Sequence, residues 1–271
     1  MNLKAIITLV VSLLLLPLLP AAAFGAPAIE FTPSVKTAFD LTTAKAEGSA
    51  RTKMNSLYSE LSVLKLQDDN RESNIRSLHY NNEQSLAAIR QQIKEIDLTT
   101  VSRLEGEAAK LKQRYQPLFD QYSALNNRIA LAKKLKDKDL NAVLKTQADV
   151  MKIAVQIARQ DIRTKETQLR AAKDARTKKT AAVRKTLSGI DNPQSTIKAQ
   201  KSVVSALNKR LTADWSDFKA AIRKQNASLT SQSLSSMASQ YRQLADAKQK
   251  IIESEQKVAA VIATAKTQLA S

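Results

Sequence analysis

From Leu234 to Leu269 one side chain recurs at alternating steps of three and four: Leu234, Met237, Tyr241, Leu244, Lys248, Ile251, Glu255, Val258, Ile262, Ala265 and Leu269. Nine of these eleven positions are apolar and two are charged. A repeat near 3.5 residues belongs to a helix packed along its length against other helices. Any fold for this chain therefore has to supply neighbours for a helix of about 40 residues.

The rest of the chain repeats the pattern. After residue 25 there are only three glycines (Gly48, Gly106, Gly189) and four prolines (Pro27, Pro33, Pro117, Pro193), while Ala, Lys, Leu, Gln and Arg are abundant. So few breakers exclude a sheet protein with many turns and favour helix. The expected fold is all-α: an elongated antiparallel helical bundle or coiled coil of about five long helices with packing like that of a three-helix bundle. The helices are placed at about 34–96, 101–136, 140–187, 193–227 and 233–270, in one domain covering 34–271.

Residues 26–33 read as a flexible lead. In the first helix Val35, Phe39, Met54, Leu57, Leu61 and Leu64 start a face that weakens at Asp68 and Arg71, so a join near Asn81 and Asn82 is considered. The second has the cleanest seam: Val101, Leu104, Ala108, Leu111, Tyr115, Leu118, Tyr122, Leu125, Ile129 and Ala132. Pro117 lies off it and is expected to kink the helix rather than end it. The first half of the third, with Leu140, Val143, Leu144, Val150, Met151, Ile153, Ala154, Val155, Ile157, Ala158 and Ile162, is apolar over more than one narrow stripe, which predicts contact on two sides. Ser188 to Pro193 reads as the strongest turn, with Gly189 as the stop and Pro193 at a first helical position.

The N-terminus carries one cation, Lys4, then an apolar run from Ala5 to Leu16 and small residues. This is read as a secretory signal peptide over 1–25, cut after Gly25 or alternatively after Ala23. It implies a secreted or extracytoplasmic protein, at a cell surface or in a periplasm, with no transmembrane anchor after cleavage. There is no cysteine, which excludes disulfides and thiolate metal sites.

Charge is the other strong signal. The formal net charge is +18, and residues 101–187 carry 21 basic and 9 acidic side chains while residues 26–100 carry 9 and 10. An excess of that size attracts polyanions. The basic run Arg163, Lys165, Arg170, Lys173, Arg176, Lys178, Lys179, Arg184 and Lys185 sits where the apolar seam thins. Several phosphates or carboxylates of one polymer could be met there at once, in a salt-sensitive manner. Lys133, Lys134 and Lys136 with Lys138 form a second cluster at the preceding turn.

No constellation for catalysis is visible. His79 is the only histidine and reads as an exposed helix or turn residue; there is no phosphate loop, calcium loop or nucleophile elbow. Asp68 with Asp69, and Glu105 with Glu107, read as solvated carboxylates. No enzyme, cofactor or metal is expected. Lys248 and Glu255, charged on an apolar seam, are expected to set register or bind a partner, or else to extend their stems to the bundle edge.

In general character the chain is similar to the helical, cationic wall-polymer-binding regions of some bacterial surface-layer proteins, and to the basic helical-arm chaperones of the periplasm. The similarity covers composition and helix pattern and assigns no positions. The expected function is non-enzymatic binding of an anionic cell-envelope polymer or other polyanion through basic helices. The alternatives are a coiled-coil scaffold that self-associates through its heptad seams and an ATP-independent chaperone.

Overall fold

The computed structural model describes residues 29–270; the signal-peptide reading and the start of the lead lie outside the described residues. Among those described there are six α-helices and no strand: α1 (Pro33–Ala44), α2 (Gly48–Glu95), α3 (Leu98–Lys134), α4 (Lys138–Leu187), α5 (Asp191–Arg223) and α6 (Ala227–Ala270). The protein is an all-α helical bundle.

The expected first helix is two helices, and the break lies at residues 45–47 rather than near Asn81. Pro33 opens α1, with the Thr32 hydroxyl accepting from the Val35 amide at 3.3 Å. Its last carbonyls are taken by Arg51: Nε donates to Thr43 O at 3.0 Å and Nη2 to Ala44 O at 2.8 Å. An arginine that satisfies the orphan carbonyls of a helix end stabilises the stop. The described end of the lead is not free, since Ile29 is buried and Phe31 packs edge-on against Tyr58 and Trp215.

Two further boundaries differ from expectation. The backbone from Leu187 to Asp191 stays in right-handed helical conformation through a 3-10 turn, Ser188–Ile190, so Gly189 ends nothing and no loop forms there. The polar stretch expected before the last helix is its first two turns: Asn226 caps α6 by accepting from the Leu229 amide at 3.0 Å. α3 runs unbroken through Pro117, which is exposed.

Three connections place a residue in the left-handed region, and in each it is not glycine: Asp97 (φ 48°), Lys136 (φ 60°) and Gln225 (φ 51°). L-residues are strained there by roughly 1 kcal/mol or more. Gln225→Gly is accordingly expected to stabilise the protein by about 0.5–1 kcal/mol in urea unfolding; a loss of stability would contradict a left-handed Gln225.

The described residues form two compact units, 29–79 with 192–256 and 80–191 with 257–270. In the first, α2 and α6 run parallel, because partner numbers rise together: Glu60 with Arg242, Asp68 and Glu72 with Lys248, His79 with Glu255. Its core centres on Phe39, Tyr58, Trp215 and Phe218, with Met54, Leu61, Leu211, Leu234, Met237 and Leu244 fully buried. In the second, α3 and α4 form an antiparallel hairpin: Glu105, Lys112 and Tyr115 meet Lys173, Glu166 and Asp161, so numbers fall on α4 as they rise on α3.

Candidate functional site

Which cations remain free on α4 is decided by the hairpin. The residues of α4 that turn toward α3 lie at alternating steps of four and three, from Leu144, Ala148, Met151, Val155, Ala158 and Ile162 on to Lys165, Leu169, Ala172, Arg176, Lys179 and Val183; all are buried or half-buried. On α3 the ten expected seam residues are likewise the sheltered ones. Three cations of the basic run thus fall on the packed side.

Two of these spend their charge inside the fold. Lys165 Nζ lies 2.9 Å from Glu107 Oε2, and Arg176 Nη2 donates to the Lys94 carbonyl at 3.1 Å. Lys173, off the seam, reaches Glu105 at 2.6 Å. Hydrogen bonds from Lys165 and then Arg103 hold the Glu107 carboxyl below its ordinary range. Glu105 and Glu107, expected to be solvated carboxylates, are therefore counter-ions. Lys179 lines an open cleft of 390 Å³ with Gln92, Glu95, Ile96, Asp97 and Lys266, where acids and lysines balance.

The others of the run, Arg163, Arg170, Lys178, Arg184 and Lys185, are exposed and make no ion pair with any described residue. At about 100° per residue, Arg163 and Arg170 fall on one line with Lys145, Lys152 and Arg159, all five within roughly 40° of arc. These last three cations are also exposed and unpaired, and they were not part of the expected site. Their spacing of seven was the available signal. Lys145 to Arg170 spans ~40 Å of helix.

Lys133 and Lys134 end α3, Lys136 occupies the turn and Lys138 opens α4, all of them exposed. The Asp137 side chain caps α4 by accepting from the Leu140 amide at 3.0 Å. A row of free cations of this unit therefore runs from the turn along one line of α4, as far as Arg170; further exposed cations, such as Lys110 and Arg128, lie on α3.

A second polar arrangement was only half visible. Lys248 is 3% exposed, with Nζ 2.8 Å from Asp68 Oδ1 and 3.0 Å from Glu72 Oε2. Glu255 is 1% exposed, and its Oε1 lies 2.9 Å from His79 Nδ1. His79 is thus half-buried and paired, not an open surface residue. Burial raises the Asp68 carboxyl against the pull of Lys248, and burial with the charges of Asp68 and Asp69 raises the Tyr241 phenol. Lys248 and Glu255 stand seven apart, as do Glu72 and His79, so partners of matching spacing could have been sought on α2.

Among the described residues no group of three or more His, Cys, Asp or Glu is placed to hold a metal ion, and no helix is long and apolar enough to cross a membrane. No protein-family model, curated protein or solved structure matches this chain, so the functional reading rests on its own residues.

Proposed function

We propose that this is an exported, non-enzymatic protein that binds an anionic polymer of the cell envelope, one bearing phosphates or uronates. The observation that carries the reading is the line of unpaired cations on α4, Lys145, Lys152, Arg159, Arg163 and Arg170, with Lys178, Arg184 and Lys185 farther along the helix and spread up to about 80° to either side of that line. A helix presents such a row at near-constant pitch, which suits a linear polymer with regularly repeated charge. Each cation that neutralises a charge releases counter-ions, so affinity grows with the number of contacts and falls with salt. The signal peptide supplies the compartment in this reading. The pairs Lys248 with Asp68 and Glu72, and Glu255 with His79, have an internal role in it: they set the register of α2 and α6 as buried polar contacts do in coiled coils.

The test is retention on immobilised polyphosphate and polyuronate across a salt series. Wild-type retention is expected to fall linearly on log–log axes. Reversal of Arg159, Arg163, Arg170 and Lys178 to Glu should lower affinity by ~100-fold or more at 0.1 M salt. Reversal of four exposed cations of the other unit, Lys198, Lys209, Arg210 and Lys224, should lower it far less. Equal loss from both variants would replace a defined face with a general field effect, and no loss from the first would overturn the proposal.

A further inference from the structure

The first half of α4 carries an apolar stripe that no described residue covers. Val143, Val150, Ile153 and Ile157 are 57%, 69%, 62% and 57% exposed, and Leu140 is 46% exposed. The doubled apolar pattern of this helix predicted contact on two sides. The structure gives it one, because α3 takes only the Leu144–Ala148–Val155–Ala158 side. The uncovered stripe lies about 140° of arc from that seam, and a similar arc separates it from the line of free cations. The hairpin is thus apolar on one face and basic on another.

From this stripe we infer that two copies of the protein pair through it, α4 against α4 and antiparallel, about a two-fold axis at Val150. The stripe keeps the spacing of a helix seam: Val143, Val150 and Ile157 are seven apart with Ile153 between. β-branched residues at such positions pack into the holes of a facing helix. Val150 has Val143 and Ile157 at equal distances on either side, so an identical antiparallel partner sets Val143 against Ile157 twice and Val150 against itself. That is the self-complementarity an isologous contact requires. The neighbours flanking the middle of the stripe include Ala142, Gln147, Ala154 and Gln156, so its centre meets without a wall of like charge; the nearest acids are Asp149 beside it and Asp139 and Asp161 at its ends, which this pairing sets opposite each other.

Charge also sets the direction. A parallel pair would bring the turn lysines Lys133, Lys134, Lys136 and Lys138 of both copies together. The antiparallel pair holds the two turns ~40 Å apart, several Debye lengths at physiological salt. Each partner's turn then reaches to about residue 164 of the other copy, short of Arg176, where the end of α2 joins the hairpin. The five α4 side chains, on the order of 100 Å² each, contribute roughly 1,000 Å² over two copies, and Leu131 and Leu135 beside the turn, 57% and 69% exposed, extend it toward the size of a specific interface. A lipid surface fits less well. It would take the apolar stripe but leave the cations on a face turned away from its headgroups. In the pair, both basic faces stay outward, and this inference holds whether or not they bind a polymer.

The test uses the whole chain, which has no cysteine of its own. Light scattering from about 1 to 300 µM should show mass doubling with a Kd in the micromolar range. Val150→Glu should hold it monomeric with unchanged helix content by circular dichroism. Under diamide, which oxidises two thiols to a disulfide, Val150→Cys should give a cross-linked dimer and Val143→Cys should not, because antiparallel pairing sets its two copies ~10 Å from the axis on opposite sides, ~20 Å apart. A chain that stays monomeric throughout, or a Val150→Glu variant that still dimerises, would overturn the inference. Equal cross-linking by Val143→Cys would overturn the antiparallel pairing. Monomeric protein that binds phosphatidylglycerol vesicles through Val150 would assign the stripe to a lipid surface instead.

Discussion

Lys248→Met is expected to destabilise the unit built from residues 29–79 and 192–256 by about 3–5 kcal/mol at pH 7, because it leaves Asp68 buried without its cation and Glu72 with only the exposed Arg76. Methionine keeps most of the stem volume, so the loss reports the charge rather than a cavity. Lys248 lies 2.8 Å from Asp68 and 3.0 Å from Glu72, and Arg76 reaches Glu72 at 3.2 Å, so Lys248 is the cation on which Asp68 depends; burial already raises the Asp68 carboxyl above its ordinary 3.8. An acid whose folded pKa is raised binds its proton more tightly when folded. Its contribution to stability is therefore full below the unfolded pKa and lost as pH rises through the folded one. In the variant, with Lys248 gone, the deficit should be largest at neutral pH and shrink as acid neutralises Asp68. Urea unfolding at pH 7 and pH 4 checks both points; a deficit that is small, or that grows in acid, would contradict them. Replacing all three residues, Lys248→Met with Asp68→Leu and Glu72→Leu, should recover wild-type stability or exceed it, since an apolar triad avoids the desolvation penalty.

The second large effect belongs to Phe218. It is fully buried, stacks on Trp215 with centroids 5.2 Å apart, and lies 6.3 and 6.4 Å from Phe39 and Tyr58. Phe218→Ala removes the ring that joins helices α1, α2 and α5, and a cavity among rigid aromatics collapses poorly, so the expected cost is about 3–5 kcal/mol. Trp215 is the only tryptophan in the chain, so its fluorescence reports this unit alone. The midpoint should fall by roughly 10 °C, with native emission shifted to the red as water reaches the indole. An unchanged midpoint would mean that the aromatic cluster is not the centre of this core.

Much of the fold was legible because helix periodicity is a local property. The seams of α3 and α6, expected residue by residue from alternating steps, are sheltered in the structure, although α6 also buries Ala238, Gln240, Ala247, Ile252 and Ser254 off its seam. Helix ends were less legible for a specific reason. The breaks before α3, α4 and α6 place Asp97, Lys136 and Gln225 in the left-handed region, while Gly189, where a stop was expected, has ordinary helical backbone. Glycine marks a turn only when the turn spends its conformational freedom. The α1–α2 break was missed because its signal is Arg51, a side chain that reaches back to the carbonyls of Thr43 and Ala44.

The candidate basic site was legible as a region but not as a face. Nine cations between Arg163 and Lys185 stood out by charge, yet Lys165, Lys173 and Arg176 are engaged by Glu107, Glu105 and the Lys94 carbonyl. Meanwhile Lys145, Lys152 and Arg159, diluted by the apolar residues around them, complete the free line.

By itself the sequence determined that the chain is helical, where most of its packed stripes run, and that its charge excess follows residue 100, because each depends on residue type and spacing along one helix. Tertiary structure alone decided which stripe meets which. It set Lys248 between Asp68 and Glu72, spent three cations of the basic run on internal partners, and left Val143, Val150, Ile153 and Ile157 uncovered. The physical reason is that pairing is a property of two surfaces: a cation on a seam, or an apolar row, is satisfied or free according to the helix brought against it.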